Sequence, residues 1–295
     1  MSIFSSSTPF DLSLGLEGTH VLITGGCGLI GRAVTQAFLS AGCNVSVVDL
    51  ADKDNVLDHH DPRLFFFSGS ITKDIDTAWR AAETRFGQSV ECCIALASLD
   101  LSVLPQAESI CDMDPATWQR VFDVNINGTF LTCQRWLKGI RDCSREPKIA
   151  EKRRNVSCII MGSEAGRFGV RTMAAYAAGK SAVQQGLLLS LAKDAPRIWP
   201  SARVNAVAPG AVDTERFRDE CRQFGENFRH EESEATVPLA KAVPVEDVAR
   251  TILFLASERF SGSVTGQCIA VDGGKMGSVV WSQKEAEERR EVSVR

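Results

Sequence analysis

Seven short apolar runs alternate with longer helical stretches, and this rhythm restricts the fold more than any other feature of the chain. The runs are His20–Thr24, Asn44–Val48, Leu64–Phe67, Glu91–Leu96, Val156–Met161, Arg203–Ala206 and Gln267–Val271. Between them lie Arg32–Ala41, Thr117–Ile140, Tyr176–Lys193 and Val245–Ser257, each patterned as a helix. Strict alternation requires right-handed crossovers and a parallel sheet. Near-continuous apolar strands mean that both faces of that sheet are covered. The fold class predicted is α/β, a single doubly wound domain with a seven-stranded parallel sheet flanked by helices.

Composition narrows the function. With 44% hydrophobic and 24% charged residues the chain has the balance of an ordinary globular protein. At 295 residues it can bury a core without metal or disulfide staples. A net charge of −4 supplies no basic field for nucleic acid or an acidic membrane. The ten cysteines form no C-x-x-C pair, the four histidines form no H-E-x-x-H, and no metal site is expected. The first residues lack the basic start and apolar core of a signal peptide, and no apolar run reaches the ~20 residues that span a bilayer. A cytoplasmic, reducing location is the expectation.

The outline predicted is an extension over 1–16, the domain over 17–277 and a charged tail over 278–295. Segment 215–241 is polar without clear periodicity and reads as a mobile lid over a pocket. Segment 141–154 reads first as a basic solvated loop that extends a helix and second as a docking patch, and the tail from Ser282 as a frayed or exposed helix.

The first run leads into ITGGCGLIG, in which Gly26, Gly28 and Gly31 satisfy G-x-G-x-x-G between a strand and a helix. Such a turn lets the backbone approach a pyrophosphate at the positive end of the helix. The second run ends at Asp49, whose carboxylate can accept from ribose hydroxyls and repels a 2′-phosphate. No basic residue follows until Lys53. NAD is therefore favoured, with NADP not excluded.

The chain has one tyrosine, Tyr176, and Lys180 stands four residues later. On a helix those positions share a face. Alone, Y-x-x-x-K reads as well as a surface lysine beside a packed aromatic. Ser163 changes the balance, because it stands just past the end of Val156–Met161, where open α/β sheets bind ligands.

Taken together, the glycine turn, Asp49, VNINGTF around Asn125, Ser163, Tyr176 with Lys180, RVNAVAPGAVDT at 203–214 and GQCIAVDGG at 266–274 resemble the short-chain dehydrogenase/reductase family. The likeness covers about residues 17–277 and is to its single-domain dehydrogenase branch. The wording WLKGIRD, IIMGSEAG and DGGK is similar to dehydrogenases of fungal secondary metabolism.

The resemblance implies a Rossmann-type domain and an NAD(P)-dependent oxidoreductase that interconverts a secondary alcohol and a ketone. It implies a catalytic set of Asn125, Ser163, Tyr176 and Lys180, with Tyr176 as general acid or base. A phenol ionises near pH 10, so working near pH 7 requires roughly 4 kcal/mol. An ammonium ~4 Å away supplies about that much at an effective dielectric of about 20. Lys180 is thus expected to lower the phenol pKa and to hold the nicotinamide ribose. Ser163 is expected to hold the substrate oxygen, and Asn125 to sustain a water chain to Lys180.

The same resemblance lays the dinucleotide along Thr24, Gly25, Gly26, Gly28, Leu29, Ile30 and Gly31, with Asp49 on its ribose. Ser70 and Ala97 fall at the adenosine contacts, while Asn125, Tyr176 and Lys180 face the nicotinamide end. Pro209 and Gly210 shape the loop beside the ring, and Val212 and Thr214 hold its carboxamide. Partners implied are a small alcohol or ketone and copies of the chain, as a homodimer or homotetramer, with Val245–Ser257 and the strand after it as the contact surface.

Three departures from the family pattern stand out. The first turn is T-G-x-x-G-x-x-G, a spacing found in epimerases. The usual Asn-Asn-Ala-Gly is Ala95, Leu96, Ala97, Ser98, and the Asp that meets adenine is Ser70. An epimerase or dehydratase, or a cofactor-bound scaffold without redox activity, are the alternative readings. Glu164 and Arg167 are polar candidates near the substrate, and Phe168, Phe217 and Phe224 are apolar ones. Each serves equally well as a solvent-facing or lid-packing residue.

Overall fold

The computed structural model describes residues 11–52, 55–105, 109–146 and 153–293. In chain order the elements begin β1 (His20–Thr24), α1 (Leu29–Ser40), β2 (Asn44–Asp49), β3 (Leu64–Ser68), α2 (Ile75–Phe86) and β4 (Cys92–Ala95). Next, α3 (Pro115–Phe122) runs through a π-helical turn, Asp123–Gly128, into α4 (Thr129–Ser144). Strand β5 (Ser157–Met161) and the short α5 (Ala165–Phe168) follow. Then α6 (Ala174–Ser181) passes through a second π turn, Ala182–Leu187, into α7 (Leu188–Ile198). The remainder is β6 (Arg203–Pro209), β7 (Val212–Asp213), α8 (Glu215–Phe224), α9 (Glu226–Ser233), β8 (Val243–Pro244), α10 (Val245–Ala256), α11 (Glu258–Ser261), β9 (Cys268–Val271) and α12 (Gln283–Ser293).

Seven strands form one parallel sheet in the order β3-β2-β1-β4-β5-β6-β9, as the alternating pattern predicts. Side chains of a strand point alternately to its two faces, and β4 shows the consequence. Cys92 and Ile94 enter the core under α1 and α10, while Cys93 and Ala95 enter the core under α2, α4 and α7. Val34, Phe38, Ile252 and Leu255 fill the first core; Trp79, Trp136 and Leu188 fill the second. Fully burying such side chains contributes about 1.5–3 kcal/mol each.

The chain winds outward from β1 to β3, then crosses back to β4 on the other side of β1. Two crossovers leaving in opposite directions open a crevice beyond the carboxyl ends of β1 and β4. Thr24 pairs with Val48 on one side and Ala95 on the other, so these strands end level beneath it.

Several boundaries differ from the sequence expectation. Strand β6 continues to Pro209 because Val207, Ala208 and Pro209 keep pairing with β9. Helix α1 starts directly after Gly28, and α2, which the pattern did not single out, buries Trp79 behind a charged outer face. The 215–241 segment, expected to be irregular, carries two helices whose Phe217, Phe224 and Phe228 rings pack together. Its charge density hides a narrow apolar stripe. The tail helix α12 is docked rather than free: Ala286 is buried, and Arg290 meets Glu226 at 2.5 Å and the buried Glu234 at 3.2 Å. The basic 141–154 segment is helical to Ser144, and its positions 147–152 lie outside the described residues, as do 1–10 of the extension and Lys53. All ten cysteines are free thiols.

Candidate active site

The crevice floor starts from the glycine turn. A Cβ on Gly31 would stand 2.0 Å from the Gly25 carbonyl, and one on Gly25 2.7 Å from Ala97 Cα, so neither position admits a side chain. Gly28 is different: it is exposed, and a Cβ there would meet only the Gly25 carbonyl at 3.4 Å. It precedes α1, whose first turn no side chain caps. An open helix N-terminus with bare backbone at its mouth fits a pyrophosphate. Leu29 and Ile30 form that first turn.

The other sequence-predicted cofactor residues surround this turn. Asp49 Oδ2 accepts from Cys27 N at 3.0 Å and Oδ1 from Leu50 N at 2.8 Å, which ties the acid to the glycine loop. Thr24 is buried, and its hydroxyl accepts from Leu96 N and Ala97 N at 3.2 and 3.3 Å. That bond braces the strand end where the usual asparagine is missing. The Ser70 hydroxyl lies 2.8 Å from that of Thr72. Pro209 ends β6 and accepts from Glu164 N, and Gly210 N donates to Val271 O at 3.0 Å. Val212 lies in β7, and Thr214 caps α8 by accepting from Phe217 N at 3.2 Å.

At the other side of the crevice α6 carries Tyr176 and Lys180, 8% and 3% exposed. The Tyr176 hydroxyl faces Ser163, which acts to lower its pKa. Lys180 Nζ lies 5.6 Å from the centre of the Tyr176 ring and donates to Met161 O at 3.0 Å and Ser98 Oγ at 3.2 Å. The expected set of Ser163, Tyr176 and Lys180 is therefore brought together at the end of β5. Asn125 is buried in the first π turn, a feature common at functional sites. Its side chain clamps Leu99, accepting from the amide at 2.7 Å and donating to the carbonyl at 2.9 Å.

Two further residues belong to the site. Gln184, in the second π turn, accepts from Ser163 N at 2.8 Å; a Cβ on Gly162 or Gly166 would fall 2.4 or 2.7 Å from its side chain. Glycine on both sides of Ser163 lets that amide in. Asp100 accepts from Arg216 of α8 at 2.9 and 3.2 Å, joining that helix to the loop after β4. A polar residue or glycine near a strand end was the only sequence signal for either, and it named no partner.

Electrostatics correct one expectation. Burial pushes the Tyr176 phenol up to about 12; the Ser163 hydrogen bond lowers it, while Asp100 and Glu164 raise it. Burial likewise brings Lys180 down to about 8, against a smaller upward pull from Asp100. Helical spacing brings the ammonium to the phenol ring, yet desolvation sets the direction of the shift. A cavity of about 340 Å³ opens beside Tyr176, lined in part by Leu104, Met113, Val121, Thr172 and Met173. Of the substrate candidates, Glu164 pairs with Lys275 at 2.9 Å and presses on Gly210. Arg167 lies over the ring of the exposed Phe168, and Phe224 is exposed at the end of α8. Among the described residues no group of three or more His, Cys, Asp or Glu could hold a metal ion, and no helix is long and apolar enough to cross a membrane.

A dinucleotide cradle facing a hydroxyl, a phenol and an ammonium defines an oxidoreductase of the α/β nucleotide-binding class. Comparison with known proteins agrees. A family model described as enoyl-(acyl carrier protein) reductase matches residues 28–275. The chain is 30% identical over 276 residues to 2-(S)-hydroxypropyl-CoM dehydrogenase 3 of Xanthobacter autotrophicus, covering 89% of this chain and 98% of that one. It is 31% identical over 271 residues to sorbose reductase sou1 of Schizosaccharomyces pombe, covering 88% and 96%. In fold it is similar to a 3-ketoacyl-(acyl-carrier-protein) reductase of Brucella melitensis complexed with NADH, with TM-score 0.73, 23% identity and coverage of 88% and 98%. The chain belongs to the short-chain dehydrogenase/reductase family. It is an NAD(P)-dependent enzyme acting on CH–OH or C=O groups of a small molecule, in a family whose enzymes are typically oligomeric.

Proposed function

We propose that the enzyme interconverts a secondary alcohol and a ketone, with Tyr176 moving the proton at the substrate oxygen. The observation that carries this reading is the meeting of Ser163, Tyr176 and Lys180 around one buried hydroxyl at the end of β5. In reduction the phenol gives its proton to the carbonyl oxygen; in oxidation it takes the alcohol proton. Ser163 holds that oxygen and the charge that develops on it. Lys180 favours the ionised phenol, and Asn125 fixes the loop that borders the ammonium. When bound, the nicotinamide supplies or accepts the hydride.

Gly25, Gly26, Gly28 and Gly31 cradle the pyrophosphate in this reading, and Asp49 favours NAD by repelling a 2′-phosphate. Self-association uses the outward side of α10 and the edge strand β9, where Phe254 is exposed. Free thiols throughout the core suit a reducing, cytoplasmic setting.

The test is Tyr176→Phe, assayed with NAD and NADP against a panel of ketones and secondary alcohols, with dinucleotide affinity measured by calorimetry. Turnover is expected to fall by about 10²–10⁴-fold, the usual contribution of a general acid or base, with affinity nearly unchanged. Turnover retained in the variant overturns the mechanism.

A further inference from the structure

Lys180 is a buried cation, and among the described residues no carboxylate lies within ion-pair distance of it. Its two acceptors are neutral: the main-chain carbonyl of Met161 at 3.0 Å and the Ser98 hydroxyl at 3.2 Å. An ammonium has three N–H bonds, so a third donor is left for another group. Met161 O is fixed by β5, which makes Ser98 the one side chain in this shell.

Ser98 is held in place from both sides. Ala97 N donates to Thr24 Oγ1 at 3.3 Å, and Asn125 clamps both main-chain groups of Leu99 at 2.7 and 2.9 Å. The position falls where the family pattern has the glycine of Asn-Asn-Ala-Gly, a residue with no side-chain oxygen to offer. The hydroxyl is therefore a departure from that pattern.

We propose that Ser98 is a positioning residue for Lys180: its hydroxyl orients the ammonium beneath the Tyr176 ring and favours its charged form. The catalytic consequence rests on the reading above, in which Lys180 assists Tyr176. A hydrogen bond accepted from a buried ammonium stabilises the ion over the neutral amine. Without it the lysine, already brought down to about 8 by burial, loses its proton at still lower pH. The other groups facing Lys180 are Tyr176 on its own helix and Asp100 on the loop after β4, whose carboxylate is engaged by Arg216 of α8.

The experiment reads the lysine directly and needs no substrate. Protein labelled with ¹³C at lysine Cε is titrated by NMR, and the Lys180 signal is assigned by its loss in Lys180→Arg. The wild-type midpoint is expected near pH 8. Ser98→Ala and Ser98→Gly are expected to lower it by about one pH unit, the value of one hydrogen bond to a charged group. Ser98→Thr, which keeps the hydroxyl, restores the wild-type midpoint. The glycine variant carries the residue of the family pattern and serves if alanine disturbs the loop. Superimposable titrations of wild type and Ser98→Gly overturn the proposal, as does a Ser98→Thr protein that titrates like the glycine variant. Turnover retained in Tyr176→Phe would instead overturn the mechanism and leave the titration result standing.

Discussion

Arg203 and Lys180 are both buried cations, one at each end of the sheet, and they are held differently. Arg203 opens β6 at the amino end, where Nη1 donates to Leu255 O and Ser261 Oγ, both at 2.5 Å, and Nη2 to Ala256 O at 2.8 Å. Those carbonyls close α10, so the guanidinium also sits at the negative end of a helix. Around it the amino ends are stitched together. His20 Nδ1 lies 2.8 Å from Gln88 O and its Nε2 2.9 Å from Ser46 Oγ. Glu91 accepts from His20 N and Arg154 N, and Asn155 exchanges two bonds with Glu258. Lys180, at the carboxyl end, has two neutral acceptors and a donor to spare. The contrast shows where a parallel sheet keeps its stability and where it keeps its chemistry: at one end the cation spends both terminal nitrogens on the protein, with only Arg203 Nε left unpaired, and at the other the ammonium keeps a donor for a ligand.

The largest effect is expected from Arg203→Met. Losing its four hydrogen bonds, offset in part by removal of a buried charge, is expected to cost about 3 kcal/mol, a fall in Tm of roughly 6–12 °C, with dinucleotide affinity at 20 °C little changed. A variant as stable as wild type would show that the amino end is not the lock described.

His20 gives a second handle of similar size. Burial holds its imidazole down at about 4. The unfolded chain takes up that proton below about pH 6.5, whereas the folded protein resists until about pH 4. This contribution to stability is present above pH 6.5 and is lost as pH falls towards 4, by roughly 3 kcal/mol. Urea titrations at pH 7 and pH 4.5 measure it, and the non-titrating His20→Gln should flatten the slope across this window.

The mildest change sharpens the other end. Gly28→Ala meets almost no protein atom, so its melting temperature should match wild type. The added methyl faces the helix mouth, and calorimetry should show NAD binding weakened by about tenfold or more, equivalent to ~1.4 kcal/mol. Unchanged affinity would mean that the dinucleotide does not approach at this glycine.

The strands were legible because each is a nearly unbroken apolar run, and α6 because Tyr176 and Lys180 are four residues apart. Helices α8 and α9 were not, since their apolar stripe of Phe217, Phe224 and Phe228 is narrow and crowded by charge. Nor were the π turns that seat Asn125 and Gln184, because one added residue per turn leaves no mark on composition. Gln184 reaches Ser163 over 21 residues and Arg216 reaches Asp100 over 116. No local pattern reports such partners.

Taken alone, the order of amino acids determined the parallel sheet, the glycine turn after β1 and the shared helix face of phenol and ammonium. These follow from periodicity and backbone sterics, which act between near neighbours along the chain. Tertiary structure alone decided that Tyr176 is harder to ionise rather than easier, and that a serine 82 residues away supplies an acceptor for Lys180. Desolvation and buried hydrogen bonds depend on which distant segments close over a group, and that is set only when the chain packs.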